Sequence, residues 1–290
     1  MQIIAKDLKY VYNEKSKALA NAALNGVSIT INSGEFFGIV GKTGSGKSTF
    51  VQHLNGLIIP QKNSGSLRVG EFDLCDKKCD FTALRKKVSM VFQYPEYQLF
   101  AETVFLDVAY ALKNFSPELS DTEVEQKVKN AINLVGLDYE KIKDKSPFEL
   151  SGGQKRRVAI AGAIVYEPEV LVLDEPAAGL DPKGKKDFLK LLLSIHSTFV
   201  KTIVIVSHDM DLICEYCSSV AVFDGGEIIA SGTPKEIFLD KDLISRAELE
   251  LPLIAHLTLK LNEKRAFNPK DLTVKAFVLE YQKLLKGDNR

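Results

Sequence analysis

The sequence predicts an α/β protein with a mostly parallel core sheet, an antiparallel edge sheet, an inserted helical subdomain and a small C-terminal helical extension. Three observations support this class. Short apolar runs rich in β-branched residues recur at 88–92, 170–173 and 203–206, each bounded by charged or turn residues. A glycine-rich loop follows another apolar run, and a long stretch of helical spacing separates the first two runs. Strands that are apolar throughout are typical of a parallel sheet covered on both faces.

The first 35 residues predict the antiparallel edge sheet. Apolar and polar residues alternate around Ile3, Leu8 and Tyr10, and they alternate again over residues 27–31. A polar loop at residues 13–21 separates the two patterns. Alternation with a period of two residues is typical of half-buried strands.

The glycine-rich loop predicts a phosphate site. Residues 36–40 predict a buried strand and residues 48–57 predict a helix, so the loop lies in a strand–loop–helix context. It fits G-x-x-x-x-G-K-[ST], in which backbone N–H groups wrap phosphate oxygens, the lysine neutralises them and the last hydroxyl reaches magnesium. Lys47 is therefore also a candidate catalytic residue and Ser48 a candidate metal ligand. The predicted nucleotide-binding residues of the loop are Gly41, Lys42, Thr43, Gly44, Ser45, Gly46, Lys47, Ser48 and Thr49.

Helical patterns fill the interval between Gln93 and about Arg157. Residues 104–113 and 121–135 predict two helices, the second with its valines and isoleucine at helical spacing. This interval predicts the inserted subdomain, at about residues 94–158.

A second glycine pair lies at the far side of this subdomain, in Leu150-Ser151-Gly152-Gly153-Gln154. Ser151 is expected to cap the helix that follows, and the glycines would let the nucleotide of another molecule come close. Because residues 41–49 already cradle one nucleotide, the pair predicts a sandwich dimer in which each copy closes the other's site. Ser151, Gly152, Gly153 and Gln154 are its predicted nucleotide contacts.

Two buried strands predict the remaining catalytic groups at the same edge of the sheet. Asp174 ends the strand at 170–173, where its carboxylate is expected to hold magnesium through water. Glu175, the next residue, is the predicted general base. His208 follows the strand at 203–206 and is expected to contact the γ-phosphate and orient the attacking water.

In this order the motifs resemble those of the ATPase subunits of ATP-binding-cassette transporters, and the resemblance covers about residues 1–235. It implies ATP and Mg²⁺ as cofactors. It also implies that Tyr12 stacks on adenine, that Gln93 contacts magnesium and moves with the transport subunit, and that Asp181 lies in a loop crossing the dimer interface. A simple edge-strand aromatic remains the alternative for Tyr12.

A narrower resemblance is to the ATPases of energy-coupling-factor importers, which bring vitamins and transition-metal ions into prokaryotes. Residues 93–100, 102–104 and 107–109 carry it, together with residues 147–150 and 155–159 on either side of the glycine pair. The C-terminal extension is also similar, especially to that of the second of the two paralogous ATPase subunits. The resemblance thus implies an ATP-hydrolysing subunit that couples ATP binding and hydrolysis to uptake of a vitamin or metal ion.

The same resemblance implies partners and a location. The partners would be a paralogous ATPase or a second copy of this chain, a membrane scaffold (T) subunit and a substrate-binding membrane (S) subunit, with the chain peripheral at the cytoplasmic face of the cell membrane. Relatives commonly have Gly-Pro where this chain has Ala111-Leu112, at the expected docking surface. Local packing of the subdomain is the alternative to docking for an aromatic and apolar segment that contains Tyr94, Pro95, Tyr97, Leu99 and Phe100.

Composition bounds the remaining possibilities. Lys plus Arg equals Asp plus Glu at 38 each among 290 residues, so no net field draws the chain to nucleic acid. No apolar run approaches the ~20 residues of a spanning helix. We expect a nucleotide-binding domain at residues 1–235 and a C-terminal helical extension at 236–290. The extension carries an apolar stripe that must be covered, formed by Val274, Phe277, Val278, Tyr281, Leu284 and Leu285.

Two alternatives concern the function and the cysteines. A soluble ABC-type ATPase acting on nucleic acid or ribosomes would use the same motifs, but such proteins usually carry two cassettes, a coiled-coil insertion or a basic tail. Cys75 and Cys79, with Cys214 and Cys217, have a spacing that invites zinc. Reduced structural thiols are the simpler interpretation, because a cysteine on an amphipathic helix is often a small core residue.

Overall fold

A computed structural model describes residues 1–12, 22–263 and 265–287 of the chain. The side chain of Lys286 is not included. The predicted polar loop at 13–21 lies outside the described residues. The strands of the described part are β1 (Ile3–Tyr10), β2 (Leu24–Ile31), β3 (Phe36–Gly41), β4 (Ser66–Val69), β5 (Phe72–Asp73), β6 (Val88–Val91), β7 (Val170–Asp174), β8 (Thr202–Val206), β9 (Ser219–Asp224) and β10 (Glu227–Gly232).

The helices are interspersed among these strands and continue beyond them. They are α1 (Lys47–Leu54), α2 (Phe81–Lys87), α3 (Val104–Phe115), α4 (Asp121–Leu134), α5 (Tyr139–Ile142), α6 (Gly152–Ile164), α7 (Pro182–Thr198), α8 (Met210–Tyr216), α9 (Pro234–Phe238), α10 (Lys241–Ala247), α11 (Leu253–Asn262) and α12 (Val274–Gly287).

Two sheets form the centre of the molecule. The core sheet has the strand order β10-β9-β3-β8-β7-β6, and its pairs are parallel except for β10 with β9. The edge sheet is antiparallel with the order β2-β1-β4-β5. The prediction of a mostly parallel core sheet with an antiparallel edge sheet is therefore confirmed. Strands β4 and β5 were not predicted, because runs of four and two residues are too short to show a period.

The core sheet separates two apolar clusters, and its strands alternate between them. Val170 and Val172 of β7 pack with α1 and the edge sheet. Leu171 and Leu173, their neighbours, pack on the opposite face with the helical subdomain, α7 and α8. Since both faces are buried, the strand is apolar throughout, as its composition predicts. All four side chains are fully buried.

The helical subdomain is a bundle in which α3, α4 and α6 pack on one another. Side-chain caps fix where its helices begin. Thr103 accepts a hydrogen bond from Leu106 N–H, and Ser120 forms a capping box with Glu123. Helix α6 also packs against β6, so the subdomain is seated directly on the edge of the core sheet.

The C-terminal helices join the body of the protein at α8. The N–H of Leu253 donates to Asp211 at 2.8 Å, and the N–H of Val274 donates to Glu215 at 3.1 Å. The predicted apolar stripe of α12 is covered only in part. Phe277 is partly covered, because its ring packs between Phe267 and Tyr281. The exposed apolar side chains of this helix are Val274, Val278, Leu279, Tyr281 and Leu285.

Candidate functional site

The glycine loop runs from the end of β3 to the start of α1, as its motif requires. Gly41 has φ 145°, and a Cβ on it would lie 2.2 Å from the carbonyl oxygen of Phe223. Gly46 has φ 101°, and a Cβ on it would lie 2.4 Å from the carbonyl oxygen of Ala23. Only glycine fits at these two positions, because both the backbone conformation and the space exclude a side chain.

Lys47 lies inside this loop. Its Nζ donates to the carbonyl oxygens of Gly41 and Lys42, each at 2.7 Å. Burial lowers the pKa of this ammonium, while the nearby carboxylates of Glu175 and Asp174 act in the opposite sense. The loop thus holds a positive charge beside backbone groups of helix α1, an arrangement that suits phosphate.

Asp174 ends β7 and faces the loop. Its side chain is buried and hydrogen-bonded to Ser48, while Lys47 lies close to it. Burial raises the pKa of the Asp174 carboxyl, and the Ser48 hydroxyl and the Lys47 charge oppose that rise. A carboxylate beside a hydroxyl is the hard oxygen donor set that Mg²⁺ prefers, so these two residues fit that ion.

Glu175 is held by two neighbours from different elements. Its Oε1 lies 3.0 Å from His208 Nε2, and its Oε2 accepts a hydrogen bond from Gln93 Nε2 at 3.3 Å. The backbone of Glu175 has φ 48°, and its N–H donates to the carbonyl of Val206 at 3.0 Å. A non-glycine residue at positive φ costs on the order of 1–3 kcal/mol, which the surrounding contacts must offset. The structure therefore brings together three residues that lie far apart in the sequence.

The second glycine pair begins α6 and faces outward. Ser151 accepts from the N–H of Gln154, and the side chain of Gln154 accepts from the N–H of Ser151, which completes a capping box. The predicted cap is confirmed. A Cβ built on Gly152 or Gly153 would meet no described atom within 4 Å. Packing within the described chain thus gives no reason for glycine at either position.

Asp181 and Tyr12 lie at the margins of the site. The carboxylate of Asp181 caps α7 by accepting from the N–H of Gly184 at 2.7 Å, and the residue is exposed. Tyr12 is 63% exposed, with its hydroxyl 3.1 Å from Thr49 Oγ1 and its ring edge-on to Tyr10. The aromatic ring thus stands beside the glycine loop with much of its surface open.

The predicted docking segment divides into a buried and an exposed part. Pro95 is buried and Leu99 is only 7% exposed, so for these two residues the packing interpretation is correct and the docking interpretation is wrong. Tyr97 is 83% exposed, and Phe100 is also exposed, with its ring edge-on to Tyr110 at 4.8 Å. The aromatic patch is therefore Tyr94, Tyr97, Phe100 and Tyr110, which are all exposed and form the ring pairs Tyr94–Tyr97 and Phe100–Tyr110.

Two contacts of the site were not predicted. Arg156 of α6 binds Glu96 of the docking segment and also a backbone carbonyl of the loop that bears Asp181. Lys42 of the glycine loop pairs with Glu248 at 3.0 Å, at the end of α10. For the Arg156–Glu96 contact, the only signal in the sequence is a single acidic residue in a mainly aromatic and apolar segment. The sequence gives no signal of the Lys42–Glu248 pair.

A cavity of about 480 Å³ opens beside Glu175 and His208. The loop after Glu175 forms one wall, and residues 250–252 of the C-terminal extension form another. The extension thus reaches the catalytic edge of the sheet, where the sequence predicted only an appendage.

The cysteines lie in two different environments. Cys214 and Cys217 are buried, and burial raises the pKa of the Cys214 thiol to about 12. Burial on an amphipathic helix is typical of a structural thiol. Cys75 is exposed and Cys79 is partly so. Across the described residues, no three side chains of His, Cys, Asp or Glu are grouped so that they would hold a metal ion.

Comparison with known proteins decides the family. The sequence model of the ABC transporter family matches residues 24–178. The chain is 45% identical over 264 residues to the energy-coupling factor transporter ATP-binding protein EcfA2 of Clostridium tetani, covering 91% of this chain and 90% of that protein. It is also 45% identical to EcfA2 of Clostridioides difficile, covering 99% of both chains. The chain belongs to the ATP-binding subunits of energy-coupling factor transporters.

Solved structures agree with this family. One is cbiO1 of Clostridium perfringens, part of the ABC transporter complex cbiONQ, with a TM-score of 0.72 and 39% identity, covering 88% of this chain and 97% of that one. Another is the ATP-binding cassette MJ0796, a dimer bound to ADP and Pi, with a TM-score of 0.68 and 26% identity, covering 80% and 98%.

The family settles the fold and the activity class. The fold is that of a P-loop ABC cassette, and the protein is an ABC-type ATPase of an energy-coupling factor transporter. Among the helices in the described ranges, none is both long enough and apolar enough to cross a bilayer.

Proposed function

We propose that this chain hydrolyses ATP with Glu175 as the general base, in a site completed by a second cassette. The observation that carries the proposal is the bracketing of the Glu175 carboxylate by His208 and Gln93, beside the lysine of the glycine loop. One carboxylate oxygen faces each neighbour, so the side chain is fixed in direction. Such a fixed base can take the proton of a water molecule that attacks the γ-phosphate, while His208 orients that water.

Mg²⁺ fits the same site. Ser48 and Asp174 are hydrogen-bonded to each other and would hold the ion, with Gln93 as a third oxygen donor. The ion would supply positive charge that offsets the negative charge developing on the phosphate during transfer. Asp174 is buried and pre-oriented by Ser48, and Lys47 supplies a second positive charge to the phosphates.

ATP would lie along the glycine loop. The N–H groups of residues 41–49 would cradle the phosphates at the start of α1, and the exposed ring of Tyr12 would stack on the adenine. The contact of the Tyr12 hydroxyl with Thr49 supports this role, because it holds the ring beside the first turn of α1.

The second cassette would supply the other half of the site. Ser151, Gly152, Gly153 and Gln154 are the predicted contacts to the partner's nucleotide, and the open space around both glycines supports this role. Asp181 would lie at the same interface. The partner is a paralogous ATPase subunit or a second copy of this chain, and the dimeric state of the solved cassette with ADP and Pi supports such an assembly.

The aromatic patch is the proposed docking surface for a membrane scaffold subunit. Tyr97 and Phe100 are exposed in the segment that begins with Gln93, so a helix seated on them would move the segment that contacts Glu175. A separate substrate-binding membrane subunit would bind the cargo, a vitamin or a transition-metal ion. The chain would then lie peripherally at the cytoplasmic face of the cell membrane.

Purification from native membranes tests the assignment of partners. We expect membrane proteins and a paralogous ATPase to accompany the tagged chain. Replacing Tyr97 and Phe100 together with aspartate should release the membrane proteins and abolish transport, while basal hydrolysis continues. Replacing Leu193, an exposed apolar residue of α7 outside the patch and the glycine sites, with aspartate is the control and should release nothing. Recovery of ribosomes or nucleic acid without any membrane protein would contradict the proposal.

A further inference from the structure

Arg156 is a buried arginine that the catalytic account leaves unused. It lies in the second turn of α6, and its side chain is only 6% exposed. Its Nε and Nη2 donate to the two carboxylate oxygens of Glu96, each at 2.9 Å. Two parallel hydrogen bonds between a guanidinium and a carboxylate fix both position and direction. Glu96 lies in the short 3₁₀ turn Pro95–Gln98, the docking turn, which also carries Tyr97 of the aromatic patch.

The same guanidinium reaches a second segment. Its Nη2 also donates to the carbonyl oxygen of Ala178 at 3.2 Å, in the loop between Glu175 and α7. A Cβ on Gly179 would lie 3.3 Å from the ring of Tyr94, so the two segments also touch beside this bond. One side chain of α6 therefore holds the docking turn and the loop of Asp181 in a fixed relation.

That loop is bonded directly to the catalytic residue. The N–H of Ala178 donates to the carbonyl oxygen of Glu175 at 3.1 Å. Gln93, only three residues before Glu96, donates to the carboxylate of Glu175. The backbone and the side chain of Glu175 are thus each connected to the docking segment, the backbone through Arg156 and the side chain through Gln93.

One nitrogen of the guanidinium has no partner in the described part of the chain. Its Nη1 is buried and has no hydrogen-bond acceptor among the described residues. A buried N–H without a partner is costly, so the bonds to Glu96 and Ala178 must offset that cost. The guanidinium is thus held in place by its bonds to Glu96 and to Ala178.

We propose that Arg156 is a positioning residue that couples the docking turn to the 177–181 loop and through it to Glu175. The coupling part rests on the proposed docking of Tyr97 and its neighbours, whereas the effect on hydrolysis does not. When the docking turn moves, Glu96 pulls the guanidinium, and the bond to Ala178 carries that displacement to Asp181 and to the backbone of Glu175. Lysine would not replace arginine here, because a single ammonium lacks the planar fork that binds both partners in fixed directions.

Four variants of the full chain, purified with whatever proteins accompany it, test the proposal. Arg156→Lys keeps the charge but loses the fork. Glu96→Gln weakens the docking side alone. The exchanged pair Glu96→Arg with Arg156→Glu restores an ion pair but removes the donor that reaches Ala178. Arg157→Lys is the matched control, since Arg157 donates to the carbonyl of Val135 in the subdomain and not to this loop.

The measurements are kcat and KM for ATP, taken well below each variant's melting temperature, together with that temperature. We expect Arg156→Lys to lower kcat roughly tenfold or more at an unchanged KM, because misplacement of a catalytic group by about 1 Å costs up to ~10²-fold. Arg157→Lys should keep the parental kcat. The exchanged pair should recover the melting temperature while kcat stays low, a separation that a purely structural role would not produce. Glu96→Gln should lower kcat less than Arg156→Lys does, because Arg156 keeps its bond to Ala178, and it should also lower transport per ATP.

Two results would overturn the proposal. One is a parental kcat for Arg156→Lys, and the other is full recovery of kcat in the exchanged pair, which would make the bond to Ala178 irrelevant. Absence of membrane proteins from the purified material would instead remove the docking assignment, while the kcat comparison between the variants at 156 and 157 would still decide the role of Arg156 in hydrolysis.

Discussion

The glycine loop at 41–49 and the glycine pair at 152–153 use the same residue type in opposite surroundings. A side chain at Gly41 or Gly46 would collide with the backbone of its own chain. A side chain at Gly152 or Gly153 would meet nothing within 4 Å among the described atoms. The first pair of positions is explained by folding. Packing does not explain the second pair, which supports the proposal that a partner's nucleotide approaches it from outside and that the chain carries two unlike halves of a site.

The first way to sharpen this comparison is to remove the proposed general base beside the glycine loop. Glu175→Gln should lower kcat by about 10²–10⁴-fold, because a positioned general base contributes that much. Binding of ATP should persist, since the glycine loop is untouched. Measuring kcat by phosphate release and affinity by nucleotide titration checks both expectations.

Glu167→Gln is the matched control for that variant, because Glu167 also has a positive φ, 54° against 48°, but is exposed in the turn before β7. It should keep the parental rate. A Glu175→Gln protein as fast as this control would remove Glu175 from the mechanism.

The second test addresses the outward half. Gly153→Ala should leave the melting temperature unchanged or slightly raised, because alanine favours a helix and finds open space at this position. The ATPase rate should nonetheless fall by about 10²-fold, since a methyl group would hold the partner's nucleotide about 1 Å away from its productive place. Calorimetry and steady-state kinetics on the same sample make the comparison.

Gly162→Ala in the same helix is the control for the outward half, as its Cβ would make only an ordinary contact at 3.9 Å. It should leave the ATPase rate unchanged and leave the melting temperature unchanged or raised. Equal rates for the two alanine variants would mean that the glycine pair does not face a nucleotide.

The third test concerns Gly41, where an added side chain would collide with the backbone of its own chain. Gly41→Ala should lower the free energy of unfolding by at least about 1–3 kcal/mol, because its φ of 145° belongs to a region that other residues avoid and Phe223 blocks the added methyl. Chemical denaturation measures this loss. A stability equal to that of Gly153→Ala would erase the contrast between the two glycine sites.

The smallest expected effect concerns the contact between the glycine loop and the extension. Glu248→Gln should cost no more than about 1 kcal/mol, because an ion pair as exposed as Lys42–Glu248 contributes little. Glu248→Gly removes the same pair but relieves a φ of 49°, so it should be at least as stable as the parent. Denaturation curves for both variants test this. A large loss of unfolding free energy in either variant would mean that this contact with the extension is needed to stabilise the glycine loop.

The sequence predicted the parts of the site that rest on short motifs. Lys47, Asp174 and His208 each follow a buried strand or a glycine loop, and parallel strands bring such positions to one edge of the sheet. Ser151 was predictable as a cap because its hydrogen-bond partner, Gln154, lies only three residues away.

Contacts between distant segments were not predictable from local pattern. Arg156 and Glu96 are 60 residues apart, and nothing near either residue indicates the other. Leu99 was assigned to a docking surface because it stands among aromatic residues, but its side chain turns into the subdomain. Local hydrophobicity shows that a segment must be covered. It does not show whether the covering surface belongs to the same chain or to another protein.

The central claim is that one chain holds two incomplete halves, and the ATPase rate per molecule as a function of dilution tests it most directly. With the oligomeric state measured in the same solutions, the account predicts that hydrolysis falls away as the dimer separates into single chains. A rate per chain that stays constant down to concentrations where every chain is a monomer would contradict it.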